Sequence, residues 1–161
     1  MDLKNFKALW DKEGKTPEGA VKCLLIAVLE TIKEKNPEGK KMWGMVLPKD
    51  DLDANGEVGT AQKSAMQNFG RIVKGTDFPG AIAASYLGGS PDNNYKYSYD
   101  NKIVVDTKQT KRAEKECKLF IKSGGKDMSS PVQVKKNAEG YWKIFEYSSL
   151  YTGVKPIKGD F

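Results

Sequence analysis

The acidic and amide side chains between positions 51 and 62 are the residues whose types and spacing most resemble a chemical site. Oxygen-bearing side chains occupy every second position: Asp51, Asp53, Asn55 and Glu57. An EF-hand calcium loop has oxygen ligands at positions 1, 3 and 5, a glycine at 6 and a bidentate glutamate at 12. Gly56 fits this pattern, but position 12 is Gln62, which offers a single neutral oxygen. We therefore favour a plain polar turn, in which Gly56 supplies a positive φ, with weak calcium binding as the alternative.

Glu146 is the one carboxylate that the pattern places beside aromatic residues, on the strand face of Trp142 and Ile144. If that face is buried, the pKa of Glu146 would be raised, and the carboxyl could act as an acid or base in a pocket. The opposite face is almost as apolar, so both orientations stay open. It consists of Tyr141, Lys143, Phe145 and Tyr147.

Aromatic residues form a third group of candidates. Tyr95, Tyr97 and Tyr99 alternate with polar residues, as in a strand, and Trp142 is a further aromatic that could contact a ligand. Tyrosines on one face can stack nucleic-acid bases, line the mouth of a pocket or form a protein interface. We favour internal packing or a protein interface over nucleic acid.

Two glycine-rich stretches, Gly88–Ser90 and Ser123–Lys126, could present backbone N–H groups to an anion. Neither stretch fits the phosphate-binding loop, in which the lysine precedes Ser or Thr and a helix begins, because Asp127 follows Lys126. Ordinary loops between strands are the favoured interpretation.

Composition lowers the expectation of catalysis. The chain of 161 residues contains no histidine, which excludes histidine-activated nucleophiles and the commonest zinc ligands. Cys23 and Cys117 both fall at core positions of a helix and a strand, so free thiols are favoured, with a disulfide left open. The sequence predicts no cofactor.

Positive charge is concentrated in the second half of the chain. Residues 1–80 carry 13 basic and 12 acidic groups, whereas residues 81–161 carry 14 and 9. The excess fits an acidic partner, but only two of the basic residues are arginines, so a solvated lysine-rich surface is the favoured interpretation. No apolar run is long enough to span a bilayer.

Helices are predicted in the first half. Leu3, Phe6, Leu9 and Trp10 have helical spacing over residues 3–12, and Thr16-Pro17-Glu18 is a strong helix start. Further helices are predicted from Asn36 to about Leu47 and from about Thr60 to Val73. The last of these is expected to bury Ile72.

Strands are predicted in the second half. Alternation of polar and apolar residues predicts strands at 116–122, 131–135 and 141–147, and Asn137–Gly140 predicts a tight hairpin. Residues 81–87, 95–99 and 103–105 are further predicted strands. These elements predict one α+β domain over 1–161: a helical part at 3–75, a strand part at 81–150 and an irregular tail at 151–161. Its predicted architecture is three to four helices on a strongly curved antiparallel sheet of four to six strands.

This order of elements resembles the NTF2-like (cystatin-like) superfamily, which implies a cone-shaped sheet around a cavity. Three segments are similar to signatures of an uncharacterised bacterial family: Thr16-Pro-Glu-Gly-Ala-Val21, Gly88-Gly-Ser-Pro-Asp92 and Ser148-Ser-Leu-Tyr-Thr-Gly-Val-Lys-Pro156. That resemblance implies no activity and no site residue.

The favoured function is non-catalytic binding of a protein partner or self-association, including a homodimer through the sheet. A small-ligand or enzymatic pocket around Glu146 is the alternative, and a calcium module at Asp51 is the weaker one. If Met1 is the native start, the absence of a secretory signal predicts a cytoplasmic protein.

Overall fold

The computed structural model describes residues 1–158. Its helices and strands follow one another as the sequence predicts, helices first. The α-helices are α1 (Leu3–Glu13), α2 (Pro17–Ile32), α3 (Gly39–Val46), α4 (Lys63–Phe69) and α5 (Ala81–Ala84). The strands are β1 (Lys111–Arg112), β2 (Glu116–Ile121), β3 (Ser130–Lys136) and β4 (Trp142–Glu146).

Helix α2 is the central element of the fold. The Thr16 side chain accepts a hydrogen bond from the Gly19 backbone N–H at 3.0 Å, and Pro17 stands at the first helical position. Almost every residue from Gly19 to Glu30 is buried, because α1, α3, α4, α5, β2 and β4 all contact this helix. A helix that is apolar on all sides is buried in this way.

The four strands form an antiparallel sheet in the order β1-β2-β3-β4. Alternate side chains of β2, β3 and β4 point inward to the helices: Cys117, Leu119, Ile121, Val132, Val134, Trp142 and Ile144. The predicted α+β class with an antiparallel sheet is therefore confirmed. The sheet is neither strongly curled nor closed, so the cone implied by the NTF2-like resemblance is not confirmed.

Residues 103–106 continue the sheet beside β1. The Asp106 N–H donates to the Phe120 carbonyl oxygen, and the Lys122 N–H donates to the Val104 carbonyl oxygen, both at 2.8 Å. Val105 and Ile121 form the bridge between these bonds. This pairing fixes Val104 next to Lys122 at the end of β2.

Three predictions in the middle of the chain are wrong. Residues 81–87 contain helix α5, because Gly80 with a φ of 133° turns the chain just before it. Tyr95 has a φ of 56° and lies in a turn, and residues 95–99 contain no strand. Ile72 is 64% exposed, because α4 ends at Phe69 and the helical spacing that would bury Ile72 does not extend to it.

Helices and sheet share one hydrophobic core within the described residues. The single-domain organisation stays a prediction, and positions 159–161 of the predicted tail lie outside the described residues. Over residues 1–158, no helix combines the length and the apolar character needed to cross a membrane.

Candidate functional site

Two glycine loops that lie far apart in the sequence meet in the structure. The Gly124 N–H donates to the Ser85 carbonyl oxygen at 2.8 Å. A β-carbon on Gly124 would overlap the Gly89 carbonyl oxygen, so this contact requires glycine. The two sequence segments considered for anion binding therefore build one site.

Together the loops form the wall of a cavity of about 460 Å³, which we call the glycine-loop groove. We define it by Gly88, Gly89, Lys102, Val104, Lys122 and Gly124. Lys102 and Lys122 are the charged residues among those that line it, and none of its lining residues is Asp or Glu. Val104 is 56% exposed and adds an apolar patch to the groove.

The amides of the glycine loops are already bonded inside the protein. Gly89 N–H donates to the Ala84 carbonyl oxygen at 2.9 Å, and Ser90 N–H donates to Asn93 Oδ1 at 2.8 Å. Gly125 N–H donates to Ser123 Oγ at 3.0 Å. Positive charge in the groove therefore comes from lysine side chains, and these amides are not aimed at a ligand.

Lys126 lies behind this wall and ties together three segments. Its Nζ donates to Tyr86 Oη at 2.8 Å and to Ser130 Oγ at 2.9 Å. It also donates to the Ser149 carbonyl oxygen at 2.8 Å and to Thr152 Oγ1 at 2.6 Å. The bonds connect the turn after α5, the start of β3 and the turn after β4.

No carboxylate forms an ion pair with Lys126 within residues 1–158. Burial, together with the smaller effect of the Arg71 guanidinium, lowers the pKa of the Lys126 ammonium to about 8. Tyr86 Oη lies 3.0 Å from Ser130 Oγ and donates to the Leu150 carbonyl oxygen at 2.8 Å. Burial raises the pKa of the Tyr86 phenol, which is therefore neutral at physiological pH.

The predicted tyrosine face does not exist. Tyr95 is fully buried and donates to the Lys155 carbonyl oxygen. Tyr99 donates to Glu30 Oε2 at 2.7 Å, and Tyr97 accepts from Lys33 Nζ at 3.0 Å. These groups bond inside the protein, as the packing interpretation expects.

Trp142 and Glu146 also fail to form a pocket. Trp142 points inward and is 6% exposed. Ile144 pairs with Val134 and Glu146 pairs with Gln133, so Phe145 forms a bulge. The bulge turns Glu146 to the solvent side, where the Ser148 hydroxyl and N–H donate to it and hold its pKa low. The sequence allowed a buried Glu146 with a raised pKa, and that interpretation is wrong.

The acidic loop is held by hydrogen bonds among its own residues. The Glu57 N–H donates to Asp53 Oδ1 at 3.0 Å, and the Asn55 amide lies against the same carboxylate. Gly56 has a φ of 78°. Asp51 lies in a separate 3₁₀ turn, and the oxygen of Gln62 accepts from the Tyr147 hydroxyl. Among the described residues, no three His, Cys, Asp or Glu side chains are grouped as metal ligands.

Sequence reasoning missed the Lys126 network altogether. The sequence feature that marks this network is a lysine directly after two glycines. Two of its hydrogen-bond acceptors, Ser149 and Thr152, lie 23 and 26 residues further along the chain. Cys23 and Cys117 are buried free thiols, and burial raises the pKa of Cys23 to about 12.

A family model described as a domain of unknown function, DUF6935, matches residues 1–158. The chain belongs to this family. Two of the signature segments quoted above, Gly88–Asp92 and Ser148–Pro156, meet around Lys126 and the glycine loops. A search of curated proteins and a search of solved structures find no match to this DUF6935 chain.

Proposed function

We propose that this chain is a non-catalytic binding domain that holds an acidic segment of a protein partner in the glycine-loop groove. The observation that carries the proposal is the charge of the groove: Lys102 and Lys122 line it without any Asp or Glu. Neither lysine forms an ion pair among the described residues, and two such ammonium groups beside the exposed Val104 attract an anion that also has apolar contacts.

The shape of the surface supports an extended segment over a compact molecule. Lys102 also lines a cavity of about 350 Å³ beside the start of α2. Lys122 also lines a cavity of about 430 Å³ beside Lys126. Because neighbouring cavities share these lysines, the three depressions adjoin. Carboxylates line both outer depressions, Glu13, Glu18 and Asp100 in one and Asp106 and Asp127 in the other. The acidic residues of a bound segment therefore belong in the glycine-loop groove between them.

The proposal is tested with a fluorescein-labelled peptide of alternating Asp and Val residues, by fluorescence anisotropy at low salt. Each exposed charge pair contributes about 0.2–1 kcal/mol, so Lys102→Glu with Lys122→Glu should weaken binding by about tenfold or more. The matched control is Lys118→Glu with Lys135→Glu, because these lysines are exposed on the outer sheet face away from the groove. Equal loss in both double variants, or no binding by the unmodified protein, would refute the proposal.

Self-association through the sheet is a second proposal. Phe120 and Phe145 are half-buried on the outer face, where Lys118 Nζ lies 5.6 Å and Lys135 Nζ 4.6 Å from the respective ring centres. A second copy could cover these rings. Sedimentation at rising concentration tests this: a dimer abolished by Phe145→Glu supports it, and a monomer at every concentration sinks it.

A pocket enzyme based on Glu146 is not proposed, because that carboxylate lies in solvent. The bacterial source, the cytoplasmic location and the NTF2-like fold stay predictions from the sequence. Calcium binding at Asp51 also stays a prediction.

A further inference from the structure

Lys126 lines the cavity that adjoins the glycine-loop groove at Lys122. The cavity of about 430 Å³ beside it is lined by Asp106, Lys122, Ser123, Lys126, Asp127 and Met128, among others. Three of the four hydrogen bonds of the ammonium are partly buried, whereas the bond to Thr152 is exposed. The Thr152 side of the nitrogen is therefore its solvent-exposed side.

The groups around Lys126 leave its charge without a counterion. Asp127, the next residue, pairs with Lys155 at 2.5 Å. The charged or titratable groups that face the amine are the Arg71 guanidinium and the Tyr86 phenol, together with those of the cavity. The cavity supplies Asp106, Lys122 and Asp127.

The oxygen atoms around Lys126 suit a neutral amine as well as an ammonium. The hydroxyls of Tyr86 and Thr152 already donate to the Leu150 and Ser149 carbonyl oxygens. The Ser130 hydroxyl is the one that can donate to the lone pair of a neutral amine, while the others go on accepting. Deprotonation of Lys126 therefore leaves no group of the network without a partner. A lysine that is paired with a carboxylate differs, because an ionised carboxylate has no hydrogen to donate to a neutral amine.

We propose that Lys126 is a site of covalent acylation, at which its amine takes an acyl group from an activated carboxyl compound such as an acyl phosphate. The nitrogen lone pair attacks the carbonyl carbon and a C–N bond forms. The C–O bond to phosphate breaks, phosphate leaves with the electron pair, and the proton lost by nitrogen passes to water. The product is a neutral amide with a single N–H.

Acylation at this position would alter the site itself. An amide with one N–H cannot serve the four oxygen atoms that the ammonium now binds. The contact between the Ser123–Lys126 loop and the turn at Ser149–Thr152 would weaken. Because Gly124 in that loop forms a wall of the glycine-loop groove, modification would reach the groove through this loop.

The test is site-resolved mass spectrometry of the folded protein treated with acetyl phosphate across a pH series. Lys122 is the internal control, because it lines the same cavity and is exposed. With a pKa of about 8 for Lys126, a far larger fraction of this amine is unprotonated at pH 7.5 than of a lysine near 10.4. Lys126 should be acetylated at least about tenfold faster than Lys122 at pH 7.5, with a rate that levels off above pH 8.

Two further measurements separate reactivity from folding. In denaturing urea the two lysines should react at equal rates, because the network no longer exists. Thr152→Val, which removes the exposed hydroxyl that covers the nitrogen, should raise the rate at Lys126. The proposal is overturned if Lys126 reacts more slowly than Lys122 at every pH, or if its rate climbs in parallel with Lys122 up to pH 10.

Discussion

Gly124 lies directly against Gly89, so that a β-carbon on Gly124 would overlap the Gly89 carbonyl oxygen. This backbone contact joins a loop after α5 to the loop that follows β2. This contact requires glycine at position 124. Gly89 is constrained from another side, because a β-carbon there would lie 2.8 Å from the Ala84 carbonyl oxygen.

Gly124→Ala should therefore destabilise the fold. The added methyl must push the two loops apart, and we expect a loss of about 2–4 kcal/mol in the free energy of unfolding. Gly153→Ala is the matched control, because only Arg71 Nη1 comes near its β-carbon, at 3.9 Å. Urea denaturation measures both variants, and equal midpoints for the two would contradict the packing described here.

The carboxylate of Glu30 is 3% exposed and depends on hydrogen bonds from Tyr99 and Asn36. Burial by itself raises the pKa of Glu30, but these donors, with the Met1 ammonium, outweigh it and hold the pKa below its usual value. A lowered pKa in the folded state means that stability is present above the unfolded pKa and is lost as pH falls through the folded one.

Tyr99→Phe should consequently cost about 1–3 kcal/mol at pH 7, because a buried carboxylate loses a donor. The cost should shrink at an acid pH below the lowered folded-state pKa of Glu30, where the carboxyl is protonated in both states. Tyr141→Phe is the control, because its hydroxyl bonds to Asp11 on the exposed surface at 2.8 Å. Thermal unfolding at the two pH values checks this, and a cost at Tyr99 that does not change with pH would argue against a charged Glu30.

Much of the sheet was predictable from local pattern. Residues of β2 and β3 alternate between buried and exposed as the sequence predicts, and Gly140 with a φ of 90° closes the predicted hairpin. The orientation of Glu146 was not predictable, because the bulge at Phe145 depends on how β4 pairs with Gln133 and Val134. Alternation within β4 alone contains no signal of that register.

The candidate site was predictable only in its parts. Both glycine loops stood out in the sequence, but their meeting depends on tertiary packing. Helix α5 was missed because an apolar run of four to eight residues fits a buried strand and a buried helix equally well. Without α5, Ser85 and Tyr86 could not be placed beside Ser123 and Lys126.

Lys126 should make stability depend on pH in an alkaline window. Its pKa is about 8 in the folded protein and about 10.4 when unfolded, so the unfolded chain binds more protons between these values. Stability contributed by this group therefore rises from pH 8 to about 10. We expect a rise of about 1–2 kcal/mol, below the full linkage value because the side chain is partly solvated.

The Lys126 effect is isolated by difference, since other groups titrate in the same range. The unfolding free energy of the unmodified protein is compared with that of Lys126→Met from pH 7 to 10. The unmodified protein should become more stable relative to Lys126→Met as pH rises. Lys135→Met, which removes an exposed lysine, should show a constant gap, and a constant gap for Lys126→Met as well would disprove the shift.

The central claim, that an acidic segment binds in the glycine-loop groove, is tested most directly by amide chemical shifts. The ¹⁵N-labelled protein is titrated with the Asp-Val peptide, and the residues whose signals move are mapped. Binding in the groove predicts the largest chemical-shift changes at Gly88–Ser90, Lys102–Val104 and Lys122–Gly124. Changes confined to the outer sheet face around Phe120 and Phe145, or to the hairpin at Asn137–Gly140, would contradict it.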